Sequence, residues 1–311
     1  MNNLKIKASA ADEGKRIDVF LSENIADLTR SKIQKLIKEN KIFVNGSIIH
    51  KSYKLAEEDI VSVEDYRKDI LEDDDLIAQD IAIKIVYEDD YLIIISKDAA
   101  VVTHPACGNR QGTLANALLY HFQDQNKSLS RAGIIHRLDK DTSGLIIAAK
   151  DAFVQAEMSE QFKERKVKKE YTALVFGRFE EKKGTINMPI ARSRTDRKKM
   201  AVMHDSNREA VTDFEIVKEF EKCTLLKILP RTGRTHQIRV HLSYIGHPII
   251  GDVVYGNKSS HEIAAKINLK RHFLHASRIT FFHPILKKEI DLSDELADDL
   301  KSALEELEDQ G

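Results

Sequence analysis

Residues 133–150, GIIHRLDKDTSGLIIAAK, place one aspartate, Asp139, between basic neighbours and just ahead of a Thr-Ser-Gly turn. The apolar run after the turn, residues 145–149, reads as a strand buried on both faces. A carboxylate at the mouth of a buried strand is costly unless a nearby charge compensates it. Groups held at such a cost are candidates for nucleophilic or acid–base chemistry. The spacing alone also admits a plainer reading, in which Asp139 opens a turn and pairs locally with Arg137 or Lys140. Asp141 suits a turn better than a second reacting carboxylate, which argues against a glycosidase-like pair.

Residues 136–145, HRLDKDTSGL, closely resemble the catalytic motif of the RluA/RluD family of RNA pseudouridine synthases. Other stretches resemble family motifs in the family's order: KEYTALV (169–175), TGRTHQIRVHL (232–242), GHPIIGD (246–252) and LHA (274–276). The first of these puts Tyr171 at the start of a strand, behind the basic cluster Lys163, Arg165, Lys166, Lys168 and Lys169. The resemblance implies isomerisation of uridine: the N1 glycosidic bond breaks and the base rejoins the sugar through C5. Neither redox change nor net hydrolysis occurs, so no cofactor, nucleotide or metal is implied.

The resemblance also implies roles. Asp139 would be the ionised carboxylate, able to attack C1′, to attack uracil C6, or to remove the C2′ proton. Arg239 would pair with Asp139 and hold its orientation. Tyr171 would stack on the uracil, its hydroxyl available for proton transfer. Ile238 and Leu242 would cover the other face of the base, and Arg137 would fill the gap left by the flipped nucleotide. Without the resemblance, Arg239 reads equally as a phosphate clamp and Tyr171 as a core tyrosine. His236 and His241, five apart on a stretch that reads as strand or loop, lack helical zinc-ligand spacing and read as RNA-binding or structural donors. Two departures from the family pattern affect turns: Lys97-Asp98-Ala99-Ala100 replaces a Lys-Pro-x-Gly turn, and Ala132 replaces the proline before Gly133.

Positioning these groups needs a substantial scaffold, and 311 residues at 42% hydrophobic and 32% charged supply one, with room for more than one domain. No apolar run approaches membrane-spanning length, and residues 1–5 lack the apolar stretch of a secretion signal. Cys107 and Cys223 are too few for a disulfide framework or zinc site and read as packing residues. A cytoplasmic monomer that binds RNA and no membrane is the expectation. The net charge of −1 averages acid at residues 72–75 and 294–309 against local basic stretches, and local charge is what steers a polyanion.

Residues 12–63 read as a compact module. A short helix starts at Ile17, and Thr29 can cap a second helix with Ile33, Leu36 and Ile37 on one face. Lys32, Lys35 and Lys38 fall opposite, with Arg30 nearby. A strand over 41–44 then runs into the Asn45-Gly46 hairpin turn, and residues 59–63 form a further strand. A lysine-faced helix leading into a Val-Asn-Gly hairpin resembles the S4 RNA-binding domain, which implies phosphate contacts without sequence reading. Solubilising charge is the plainer reading of the same lysines.

The expected organisation is an S4-like domain over 1–66, an acidic linker over 67–82 and a catalytic domain over 83–311. Strand-like runs at 83–87, 91–95, 145–149, 171–176 and 224–229 alternate irregularly with helices over 112–122 and 152–162. The class is therefore α+β with a mixed, largely antiparallel sheet. Arg192, Arg194, Arg197, Lys198 and Lys199, opposed by Asp196, form a loop suited to gripping an RNA backbone. Large-subunit ribosomal RNA is the expected substrate. Transfer RNA, a non-catalytic RNA-binding role in ribosome assembly, and an N-glycosidase that releases uracil are the alternatives.

Overall fold

The computed structural model describes residues 4–25, 28, 30–64, 76–105, 109, 111–122, 129–196 and 199–309, and divides into two compact units, Met1–Asp75 and Leu76–Gly311. In the first unit, strands β1 (Leu4–Lys7), β2 (Ile42–Val44), β3 (Ser47–Ile48) and β4 (Ile60–Val63) form an antiparallel sheet in the order β1-β4-β2-β3. Helices α1 (Ile17–Asn24) and α2 (Arg30–Lys38) complete it. Ile33, Leu36 and Ile37 pack with Ile17, Phe20 and Leu21 from α1 and with Ile42, Val44, Val61 and Val63 from the sheet. The expected hairpin forms, with Asn45 and Gly46 both at positive φ. Strand β1 lies outside the module read from sequence, because a four-residue edge strand carries too little pattern to stand out. Thr29, the expected cap, lies outside the described residues.

Residues 76–82 do not behave as a solvated spacer. Asn116 Nδ2 donates to Ile77 O at 2.8 Å, and the Gly112 amide donates to Gln79 Oε1 at 2.7 Å, so the segment is tied to the second unit. Leu76 also packs on the core. The acidic residues 72–75 lie outside the described residues.

The second unit is built on a nine-stranded sheet. Its strands are β5 (Lys84–Glu88), β6 (Leu92–Lys97), β7 (Ser143–Ala149), β8 (Lys168–Phe176), β9 (Lys183–Asn187), β12 (Val211–Glu219), β13 (Cys223–Pro230), β14 (Leu274–Phe282) and β15 (Glu289–Ser293). The order is β5-β6-β7-β14-β8-β13-β12-β9, with β15 also on β14, and every pairing is antiparallel except β7 with β14. Strands β10 (Ile190–Arg192) and β11 (Met200–Val202) form a separate antiparallel hairpin. Helices α3 (Leu114–His121), α4 (Ala152–Lys163), α5 (Gln237–Tyr244), α6 (Lys258–Lys266) and α7 (Asp298–Asp309) belong to this unit. Thr113 caps α3, and Asp151 caps α4 by accepting from the Val154 amide at 2.9 Å.

Strands β6 and β7 are apolar on both sides because both sides are covered. Ile93, Ile95, Ile146 and Ala148 pack into the core that includes α3, whereas Leu92, Ile94, Leu145 and Ile147 pack with Val154 and Met158 of α4. This two-sided burial fixes the strand that follows the Asp139 loop. At the parallel junction Gly144 has φ 109°, and a Cβ there would sit 2.3 Å from Ala276 O. Gly144→Ala should therefore destabilise the protein by about 3 kcal/mol, read from its denaturant midpoint.

The two departures from the family turns leave a visible trace. Ala100, where a glycine is usual, has φ 67°, and Arg131 and Ala132 have φ 56° and 51°. Ala100→Gly should stabilise by about 0.5–1 kcal/mol, because it removes left-handed strain without touching the site. A lowered midpoint would show that the alanine methyl contributes more packing than the strain costs. Proline fixes φ near −65°, so it would not fit position 132 in the turn seen here.

Candidate active site

The loop that carries Asp139 is held from behind by buried side chains of other elements. Thr103 Oγ1 donates to Leu138 O at 2.9 Å, Lys97 Nζ to Lys140 O at 3.0 Å, and Arg271 Nη1 to Asp141 O at 2.9 Å. The Thr142 hydroxyl pairs with His272 Nε2 at 2.8 Å. Lys97 also donates to the carbonyls of Asp98 and Val101, and burial lowers its ammonium to about 8. Arg271 is balanced by Asp299 through a two-point ion pair. These contacts fix the backbone on both sides of Asp139, leaving its side chain little freedom.

The Asp139 carboxylate is largely buried, with 16% of the side chain exposed, and accepts from Arg239 Nη1 at 2.9 Å. Arg239 lies in the first turn of α5, itself almost fully buried. It makes a second, two-point ion pair with Asp252: Nε to Oδ2 at 2.7 Å and Nη2 to Oδ1 at 2.9 Å. Asp252 Oδ1 also accepts the amides of Val254 and Tyr255. One planar guanidinium thus spans two carboxylates, a geometry that lysine cannot reproduce. Burial acts to raise the Asp252 carboxyl, but the Arg239 contacts and the two amides outweigh it and hold the group below its usual range. Burial likewise opposes charge on Arg239, and the Asp252 and Asp139 contacts overcome it and raise the group.

Asp139 and Arg239 line a small cleft together with Arg137, Leu138, Lys169, Tyr171, residues 232–236, Ile238 and Leu274. Tyr171 projects from β8, 9% exposed, and burial foremost, then the Asp139 charge, raises its phenol. Arg137 is exposed at the cleft, as expected of a side chain that must reach a ligand. Ile238 also lines it. Leu242 does not. It lies one turn further along α5, is fully buried and belongs to the core cluster, so it packs the helix that presents Arg239. That corrects the expectation that it faces the base.

The stretch with His236 and His241 is also not strand or loop. His236 is the N-cap of α5 at φ 55°, and His241 lies within the helix. His241 is buried between Thr212 Oγ1 and Met188 O, both at 2.9 Å, a structural role. His236 Nδ1 pairs with Tyr255 Oη at 2.8 Å, and its Nε2 lies 3.9 Å from Asp139 Oδ1. Burial foremost lowers the His236 imidazole. The bend into α5 is fixed by Gln237, whose carbonyl accepts from Thr232 Oγ1 and Arg234 N and whose amide donates to Val211 O and Thr212 Oγ1. A fully bonded buried glutamine reads in the sequence as one more polar residue, which is why neither it nor Asp252 stood out. Asp141 does not line the cleft, in keeping with a turn role.

The basic residues expected to bind RNA sit in varied surroundings. In the first unit Arg30 is partly committed: with Arg16 and Gln34 it satisfies the buried Asp18, at 3.1 Å from Arg30 Nη2. Lys35 and Lys38 are exposed on α2, while the Lys32 side chain lies outside the described residues. In the second unit Arg192 and Arg194 are exposed at the β10–β11 hairpin, but Asp205 pairs with Arg194, a carboxylate the sequence reading did not count against the loop. Lys199 is half-buried beside the same hairpin, and Arg197 and Lys198 lie outside the described residues. Among the described residues no cluster of His, Cys, Asp and Glu is arranged to hold a metal. Cys223 is buried, its thiol pushed up to about 11 by burial, and Cys107 lies outside the described residues.

A sequence profile described as RNA pseudouridylate synthase matches residues 91–244, and an S4 domain profile matches residues 15–61. An uncharacterized RNA pseudouridine synthase of Bacillus subtilis is 36% identical over 313 residues, covering 100% of both chains. The chain belongs to the RNA pseudouridine synthase family. Another relative, the ribosomal large subunit pseudouridine synthase D of Buchnera aphidicola, is 38% identical over 96% of each chain. Among solved structures, human RNA pseudouridylate synthase domain containing 1 aligns with a TM-score of 0.58 at 26% identity, over 73% of this chain and 89% of that one. Family membership and the fold agree with the α+β reading of the second unit, and the first unit is an S4 domain.

Proposed function

We propose that this pseudouridine synthase acts on uridines of large-subunit ribosomal RNA, as a cytoplasmic monomer, with Asp139 as the reacting carboxylate. The observation that carries the site assignment is the shared guanidinium: Asp139 faces the cleft while Arg239, anchored by buried Asp252, holds it aimed. Tyr171 then offers a ring to the uracil, Ile238 an apolar edge, and exposed Arg137 fills the stack a flipped nucleotide leaves. The RNA assignment is supported by likeness, over 96% of each chain, to a relative named for the ribosomal large subunit.

Mapping pseudouridine in ribosomal and transfer RNA from cells with and without the protein tests the substrate. Loss confined to large-subunit RNA is expected, and loss confined to transfer RNA would overturn the assignment. The S4 unit should supply affinity through phosphate contacts. Replacing exposed Lys35 and Lys38 with glutamate should weaken RNA binding and lower the slope of log affinity against log salt by about one to two, with the rate at saturating RNA unchanged. An unchanged slope would remove α2 from the RNA-binding surface.

A further inference from the structure

Lys169 is a cation in the cleft for which the roles above provide no use. It lies on β8 two residues before Tyr171, so the two side chains leave the strand on the same face, and both line the cleft with Asp139. The other inward cations are already engaged. Arg239 spans Asp139 and Asp252, Arg271 pairs with Asp299, and Lys97 binds three carbonyl oxygens. Lys169 is half-buried, and among the described residues its ammonium has neither a carboxylate nor a hydrogen-bond acceptor. The Phe162 ring lies 5.9 Å from Nζ. A desolvated cation without an acceptor is costly, and here the acceptor is left for a ligand.

Resting on the proposed reaction, we infer that Lys169 is a further catalytic residue, whose ammonium donates to a carbonyl oxygen of the target uracil and stabilises the negative charge the base acquires. All three routes open to Asp139 create that charge. When the C1′–N1 bond breaks by attack on C1′ or loss of the C2′ proton, its electron pair stays on uracil and spreads over N1, O2 and O4. When Asp139 adds to C6, the electrons of the C5–C6 double bond move onto O4. Rejoining through C5 returns the charge: the C5 electrons form the bond to C1′ as the Asp139–C1′ ester breaks, or as Asp139 returns its proton to C2′, or, from the C6 adduct, as the N1–C1′ bond breaks. The C5 proton then leaves, expelling Asp139 where it sits on C6, and N1 regains a proton. A fixed cation beside the base lowers the barrier whichever route operates.

A phosphate fits this position less well. Arg234 is exposed and lines the cleft, and is the better partner for a hydrated backbone, whereas Lys169 is half-buried beside the tyrosine proposed to hold the base. Burial without a counter-charge lowers the Lys169 ammonium to about 8, so it is predominantly protonated at neutral pH.

The test uses full-length protein and transcripts of large-subunit ribosomal RNA made with uridine or with 5-fluorouridine, whose fluorine already stabilises a base anion. Single-turnover formation of the C5–C1′ bond is measured for wild type, Lys169→Met and Lys169→Arg at saturating RNA. On 5-fluorouridine, which has no C5 proton to lose, the C-linked product keeps its fluorine and takes up water at C6. Lys169→Met should lose on the order of 10²-fold on uridine RNA, and clearly less on 5-fluorouridine RNA. Its RNA affinity and salt slope should match wild type, which also shows that it is folded, and Lys169→Arg should recover part of the rate. An equal loss on both RNAs would assign Lys169 a structural role. Weaker binding with a flatter salt slope and an unchanged saturated rate would make it a phosphate grip. Either result overturns the inference while leaving the proposed reaction intact. Absence of turnover by wild type overturns the proposed substrate, and the Lys169 inference with it.

Discussion

Asp139→Asn should abolish pseudouridine formation while leaving the fold and RNA binding in place. The substitution keeps the size of the side chain and its ability to accept from Arg239 Nη1, now at 2.9 Å from the carboxylate. The loop stays fixed because its holding contacts run through the carbonyls of Leu138, Lys140 and Asp141, none of which involves the Asp139 side chain. What is lost is the anionic oxygen, without which no attack on C1′ or C6 and no removal of the C2′ proton occurs. Among the described residues no other carboxylate lines the cleft: Asp252 is committed to Arg239, and Asp141 is not part of the lining. The fall should be on the order of 10⁴-fold or more. RNA affinity should hold or rise slightly, since a negative charge facing a polyanion is removed. Measurable turnover by purified Asp139→Asn, with reversion to aspartate excluded by mass, would place the reacting group elsewhere in the cleft.

Much of this site was legible because its parts lie in short, distinctive stretches of sequence. The Asp139 loop ends in a strand whose apolar residues alternate between two covered faces, so both the strand and the loop ahead of it stood out. Arg239 stood out for its donor-rich surroundings, and its contact with Asp139 followed from the family resemblance rather than from spacing: the two are 100 residues apart. The helix around Arg239 was misread because its apolar positions, Ile238, Val240 and Leu242, alternate as in a strand, and because it starts at a left-handed histidine instead of a Ser, Thr, Asn or Asp cap. Its face is set by Gln237 and by core packing, neither of which has a local signature. The assignment of Leu242 to the base came from the family resemblance; on α5 Ile238 reaches the cleft and Leu242 the core.

The supports behind the loop were invisible at the sequence level for a different reason. Thr103, Lys97, Arg271 and His272 act through carbonyl and hydroxyl groups far away in the chain, and each residue type is common. Only their convergence on residues 138–142 gives them meaning. The basic loops show the converse. Their charge was legible, but Asp18 and Asp205, which engage Arg30 and Arg194, were not recognisable as partners before folding.

Arg239→Leu should be the most damaging change away from Asp139, in both stability and rate. It strands a fully buried carboxylate, Asp252, and a largely buried one, Asp139, without their shared cation. Removing one partner of a buried ion pair costs about 3–5 kcal/mol. The freed Asp139 should also lose its aim, and a misplacement of about 1 Å can reduce rate on the order of 10²-fold. Arg239→Lys keeps the charge but reaches one carboxylate at a time, so it should be milder on both counts. Asp252→Asn separates the two effects, since it leaves Arg239 opposite Asp139 but removes the charged anchor that fixes the guanidinium plane. Its rate should fall while RNA affinity stays near wild type. The Asp252 carboxyl is held below its usual range in the folded protein. Its stabilising contribution is therefore complete above the unfolded-chain value near 4 and is lost as pH falls through the lower folded value. The stability difference between wild type and Asp252→Asn should accordingly be largest at neutral pH and shrink under acid, as read from urea midpoints. A wild-type rate with sharply weakened RNA binding in Arg239→Leu would instead make Arg239 a phosphate clamp. A pH-independent stability difference would show that Asp252 acts through shape rather than charge.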